Sequence, residues 1–106
     1  MRSIPERDWK YLRSIEKELL AELCGRINRD ALEILQAPEV GEHERYLWLY
    51  KHYRESDIIV ADCFDGWRRS DIVLKLLLIR KHKLLSTEMI ANLSDETREL
   101  LARWQE

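Results

Sequence analysis

The sequence predicts an all-α fold, a single-domain irregular bundle of four or five helices. Three observations carry this. Turn-formers are scarce: Pro5, Pro38, Gly25, Gly41 and Gly66 are all the proline and glycine in 106 residues. Leu, Glu, Arg and Lys are abundant, which favours long helices and short connections. Apolar residues recur with a 3.6-residue period along two long stretches. The whole chain, 1–106, reads as one domain.

The first helix is expected to begin near Pro5, with Ser3 and Glu6 at capping-box spacing. Trp9, Leu12, Leu19, Leu20, Leu23, Ile27, Ala31 and Ile34 form its apolar stripe, and Arg7, Lys10, Ser14 and Lys17 lie opposite. The stripe holds phase through Gly25, so one helix is predicted to about Ala37. Ala37-Pro38-Glu39-Val40-Gly41 is the clearest turn.

A second helix opens near Glu42. Tyr46, Leu49, Tyr50, Tyr53, Val60, Ala61, Phe64 and Trp67 share a face. The β-branched run Ile58-Ile59-Val60 could be a buried strand, but the helical stripe passes through it unbroken and no hairpin signal follows. Asp65-Gly66 either ends or bends this helix. The third helix reaches His82. Its middle, 72–79, is apolar on every side except Lys75, and is expected to be the buried centre of the bundle. Asp71 and Lys75 have i,i+4 spacing in the favoured order. Ser86 reads as the N-cap of a short helix to about Asn92. Ser94 caps the last helix, whose apolar edge is Leu100, Leu101 and Trp104.

Charged residues make up 36 % of the chain, against roughly 25 % on average. The net charge of −2 gives no overall bias toward nucleic acid or membrane. The longest apolar run is too short to cross a bilayer. The start, MRSIPERDW, has no apolar leader core. Cys24 and Cys63 lie far apart without a CxxC pattern, which fits a reduced, cytoplasmic setting.

Four segments carry a resemblance: HERYL at 43–47, FDGWRRS at 64–70, IRKHKLLSTE at 79–88 and LSDETRELL at 93–101. Together they resemble a family of uncharacterised bacterial helical proteins of about this length. The resemblance implies helix over strand around 57–64. It brings no activity, cofactor or site residue with it.

Four constellations bear on function. Asp57 falls inside the aromatic face of the second helix, near Tyr50 and Tyr53. A carboxylate buried there must be paired or must titrate abnormally. It is either a structural contact or the acid of a tyrosine-lined enzyme pocket. Arg68, Arg69, Arg80, Lys81 and Lys83 form a basic segment. They are either phosphate contacts for nucleic acid or helix-terminal cations that offset the dipole. The second reading is favoured, because the two halves sit at opposite ends of one helix and acidic segments flank them. His43 and Glu44 begin an HExxH-like string, but position 47 is leucine, so no metal motif results. No phosphate loop or nucleophile elbow occurs, and no catalytic residue, metal or cofactor is assigned. Finally, Trp48 and Ile59 lie together near His52 on the side of the second helix away from the main stripe. That second patch is either covered within the chain or binds a partner, most simply another copy. The favoured reading is a non-catalytic protein–protein interaction module with Trp48, His52 and Ile59 as its contacts.

Overall fold

The computed structural model describes residues 4–104. Five α-helices and no strand occur among them: α1 Glu6–Gln36, α2 Glu42–Phe64, α3 Ile72–Lys81, α4 Thr87–Ala91 and α5 Asp95–Arg103. A single 3-10 turn, Arg69–Asp71, leads into α3. The all-α expectation holds, including helix through 57–64. No described helix is long and apolar enough to cross a membrane.

Local chemistry sets the boundaries. α1 starts directly after Pro5, whose fixed φ suits a helix entry. Ser3, the expected capping partner of Glu6, lies outside the described residues. α1 runs through Gly25 to the Pro38–Glu39 turn, where Glu39 takes a left-handed φ of 59°. Gly66, at φ 66°, ends α2; a side chain there would meet open space, so the backbone angle alone calls for glycine. Ser86 accepts from the Met89 N–H and Ser94 from the Thr97 N–H, so both expected N-caps are formed.

Both core clusters lie at one end. One cluster joins Ile4 and Leu12 of the N-terminal region to Ile72, Val73 and Leu76 of α3 and to Leu93, Leu100 and Leu101. A second joins Leu19 and Leu23 to Cys63, Phe64, Ile79 and Leu84. α3 is shared by both, as its composition predicts, although Leu74 is exposed and α3 is therefore not buried all round. Neither cluster includes a residue between Ile27 and Ile59. The distal part of α1 and the proximal part of α2 therefore project from the body as a two-helix arm. The extents of 52 × 26 × 24 Å reflect that projection.

Charged side chains tie the elements together across long sequence separations. Asp8 is fully buried. Its carboxylate accepts from Ser94 N–H at 3.0 Å, Ser94 Oγ at 2.5 Å and Thr97 Oγ1 at 2.5 Å, fastening α1 to the start of α5. Burial pushes this carboxyl up, but those hydrogen bonds and the nearby Arg7 charge outweigh it, and the net shift is downward.

Every helix C-terminus receives a cation from outside its own last turn. Arg45 donates to Ala37 O after α1, and Lys75 to Asp62 O near the end of α2. Arg26 donates to His82 O and Lys83 O after α3. Arg98 reaches Ala91 O and Leu93 O after α4, and Arg80 reaches Leu101 O and Trp104 O at the end of α5. Carbonyls in and just beyond a last helical turn run short of backbone donors, and each cation bonds to them while offsetting the helix dipole. Lys75 is thus engaged with α2 rather than with Asp71, which accepts from Ser70 Oγ. Trp104, expected on the apolar edge of α5, is exposed beyond the helix.

Candidate functional site

α2 carries two apolar seams one residue out of register. Arg45, Leu49, His52, Ser56, Ile59 and Cys63 form the first; Tyr46, Tyr50, Tyr53, Asp57, Val60 and Phe64 form the second. Both follow the 4-3-4-3 spacing that keeps side chains on one line along a helix. The first faces α1. All six of its residues are buried or half-buried. His52 Nε2 lies 2.8 Å from Ile27 O, so this ring nitrogen carries the proton that it donates to the carbonyl. Ile59 packs beside Leu19, Leu23 and Cys63 in the second core cluster.

That arrangement reverses the placement expected from the helical wheel. The patch of Trp48, His52 and Ile59 is not one outer surface: His52 and Ile59 point at α1, and only Trp48 is exposed. The tyrosine face is the one left outside. Small and compact side chains explain the choice, because Ser56 and Cys63 let two helices approach closely. Three tyrosine hydroxyls in a two-helix seam would lack partners.

Asp57 is exposed as well, and among the described residues it has no hydrogen-bond or ion-pair partner. It borders an open recess of about 260 Å³ with Cys24, Ile27, Asn28, Tyr53, Ser56 and Val60. Tyr53 Oη donates to Asn28 Oδ1 at 2.9 Å and is thereby occupied. The recess assembles no hydrogen-bonded nucleophile and base.

α1 mirrors this pattern. Leu20, Cys24, Ile27, Ala31 and Ile34 face α2, while Ala21, Gly25, Asn28, Leu32 and Leu35 form a second line one residue further round. The Tyr53–Asn28 hydrogen bond links the outer line of one helix to the outer line of the other. Both outer lines therefore lie on the same face of the arm. Leu32, Leu35, Tyr46, Tyr50 and Tyr53 are all exposed there. Arg54 lies over the Tyr50 ring at 5.7 Å, and His43 stacks on Tyr46 at 6.4 Å.

The basic segment disperses. Arg69 donates to Ile4 O at 3.0 Å and pairs with Glu6, and Arg80 is bound to the end of α5. Arg68, Lys81 and Lys83 are exposed, with Arg68 before α3 and the two lysines at its other end. No group of three or more His, Cys, Asp or Glu among the described residues is placed to hold a metal.

Sequence reasoning missed the roles of Asp8 and Arg26. The signal for Asp8 was available, since it falls in line with Leu12, Ile15 and Leu19 at i, i+4, i+7 and i+11. Arg26 carried no such signal, because its partners are 56 and 57 residues away. Comparison with known proteins finds no matching family model, no similar curated protein and no similar solved structure.

Proposed function

We propose that this chain is a non-catalytic, cytoplasmic, helical interaction module whose contact surface is the open face of the arm. One observation carries the reading. Two adjacent helices each present an apolar line on the same side, and nothing among the described residues covers either line. A helix pair in a soluble bundle uses such lines to meet further helices. Contiguous exposed apolar area of this kind marks contact surfaces. The free thiols of Cys24 and Cys63 are in keeping with a reducing compartment.

The nucleic-acid reading has less support, because Arg69 and Arg80 already serve backbone carbonyls. An enzyme site at Asp57 has less support still, since no acid–base pair is formed there. The test is affinity capture from source cells with wild-type bait and with a Tyr46→Ser/Tyr50→Ser bait. The wild type is expected to retain a partner that the double variant loses. Identical recoveries from the two baits would overturn the reading.

A further inference from the structure

We infer that the occupant of the open face is the same face of a second copy, with the two arms antiparallel and the bodies at opposite ends. This rests on the reading of the arm as a contact surface and names its partner. The argument begins with the order of residues along the outer line of α2. Extended one step toward the tip, it runs His43, Tyr46, Tyr50, Tyr53, Asp57. The line is self-complementary about Tyr50. His43 and Asp57 are each seven residues from Tyr50, about 10 Å along the axis.

When α2 lies antiparallel to its copy with a two-fold axis at Tyr50, His43 of each chain meets Asp57 of the other. Tyr50 meets Tyr50, and Arg54 reaches the ring of Tyr46 across the contact, as it already lies over its own Tyr50. Asp57, without a partner among the described residues, gains a hydrogen-bond donor. With the arms parallel, His43 and Asp57 stay at opposite ends of the contact and never meet.

A two-fold contact uses one patch twice, so a patch must complement itself, and this one does. The area is also sufficient. Tyr46, Tyr50 and Tyr53 are 64, 59 and 43 % exposed, and Leu32 and Leu35 are 51 % exposed each. At roughly 200 Å² for a large side chain, these five expose on the order of 500 Å² per chain. Two copies would remove about 1,000 Å² of mostly apolar surface from water, the size at which specific interfaces begin. The product is a four-helix bundle made from two arms, in which each outer line is filled.

Sedimentation velocity over a concentration series from nanomolar to hundreds of micromolar tests this. A reversible dimer is expected. Asp57→Lys and His43→Asp should each raise the dissociation constant about tenfold or more, and the double variant His43→Asp/Asp57→Lys should return it to within a few-fold of wild type. Tyr50→Cys, in a Cys24→Ser background, should link to itself on mild oxidation, whereas the exposed Ile58→Cys, on another side of α2, should not. A monomer at every concentration overturns the inference, as does equal linking at both positions or a double variant no better than the singles. If the chain is monomeric and capture still separates wild type from Tyr46→Ser/Tyr50→Ser, the contact surface stands and its occupant is another protein.

Discussion

Replacing Asp8 with alanine removes a buried carboxylate that joins the start of α1 to the start of α5. The side chain is fully buried and accepts three hydrogen bonds from Ser94 and Thr97. A hydrogen bond to a charged group contributes about 1.5–3 kcal/mol, and an unsatisfied buried donor costs about 1–3 kcal/mol. The three are not additive, because the two hydroxyls can turn toward other acceptors, while the Ser94 N–H cannot. We therefore expect Asp8→Ala to cost about 3 kcal/mol, a fall of about 15 °C in Tm for a chain of this size. Asp8→Asn keeps the acceptor for Ser94 N–H, and its amide can donate to the hydroxyls. It should cost only about 1 kcal/mol.

The pH dependence separates the two variants further. The Asp8 carboxyl titrates below its ordinary value of 3.8 in the folded chain. Its contribution is fully present above that value and is lost as the pH falls through the lower, folded value. Wild type should lose this increment on acidification, and Asp8→Asn should not. Urea melts at neutral pH and near pH 3, followed by circular dichroism, measure both quantities. An Asp8→Ala variant within about 0.5 kcal/mol of wild type would refute the reasoning. So would an Asp8→Asn variant that loses as much stability as Asp8→Ala.

Three further outcomes follow from the same structure. Arg80→Met keeps an apolar stem but removes both donors to Leu101 O and Trp104 O; it should lower unfolding free energy by about 2 kcal/mol in the same melts. Gly66→Ala should cost about 1–2 kcal/mol by chemical denaturation, entirely from the left-handed backbone, because a methyl group meets open space. Asp57→Asn should leave the stability of the dilute chain unchanged within about 0.5 kcal/mol, since the carboxylate is exposed and unpartnered.

The helices were legible because each is marked by local chemistry: Pro5 and Pro38 around α1, Gly66 after α2, Ser86 and Ser94 before α4 and α5. The burial of Leu12, Leu19, Ile72, Leu76 and Ile79 followed from periodicity for the same reason. What periodicity did not convey is which of two neighbouring lines on α2 meets α1. The lines differ by a rotation of about 100°. Apolar content alone favours the tyrosines, and the decision rests on closeness of approach and on where hydroxyls can find partners. Asp57 was misplaced as a direct result, because it lies on the line that turned outward. The cationic caps were out of reach for a different reason: Arg26, Arg80 and Lys75 act on carbonyls 13 to 57 residues away. Composition registers their number and not their targets.

The confinement of both core clusters to one end leaves the arm's length independent of the body. Seven residues added to α1 beyond Ile27 and seven added to α2 before Ile59 would lengthen the arm by about 10 Å. Because all four lines repeat every seven residues, such a pair of insertions nearly preserves their phase. No side chain of either core cluster would be displaced. The arm is therefore a ruler with a heptad scale, and the distance it spans can be changed in whole divisions while the body that carries it stays the same.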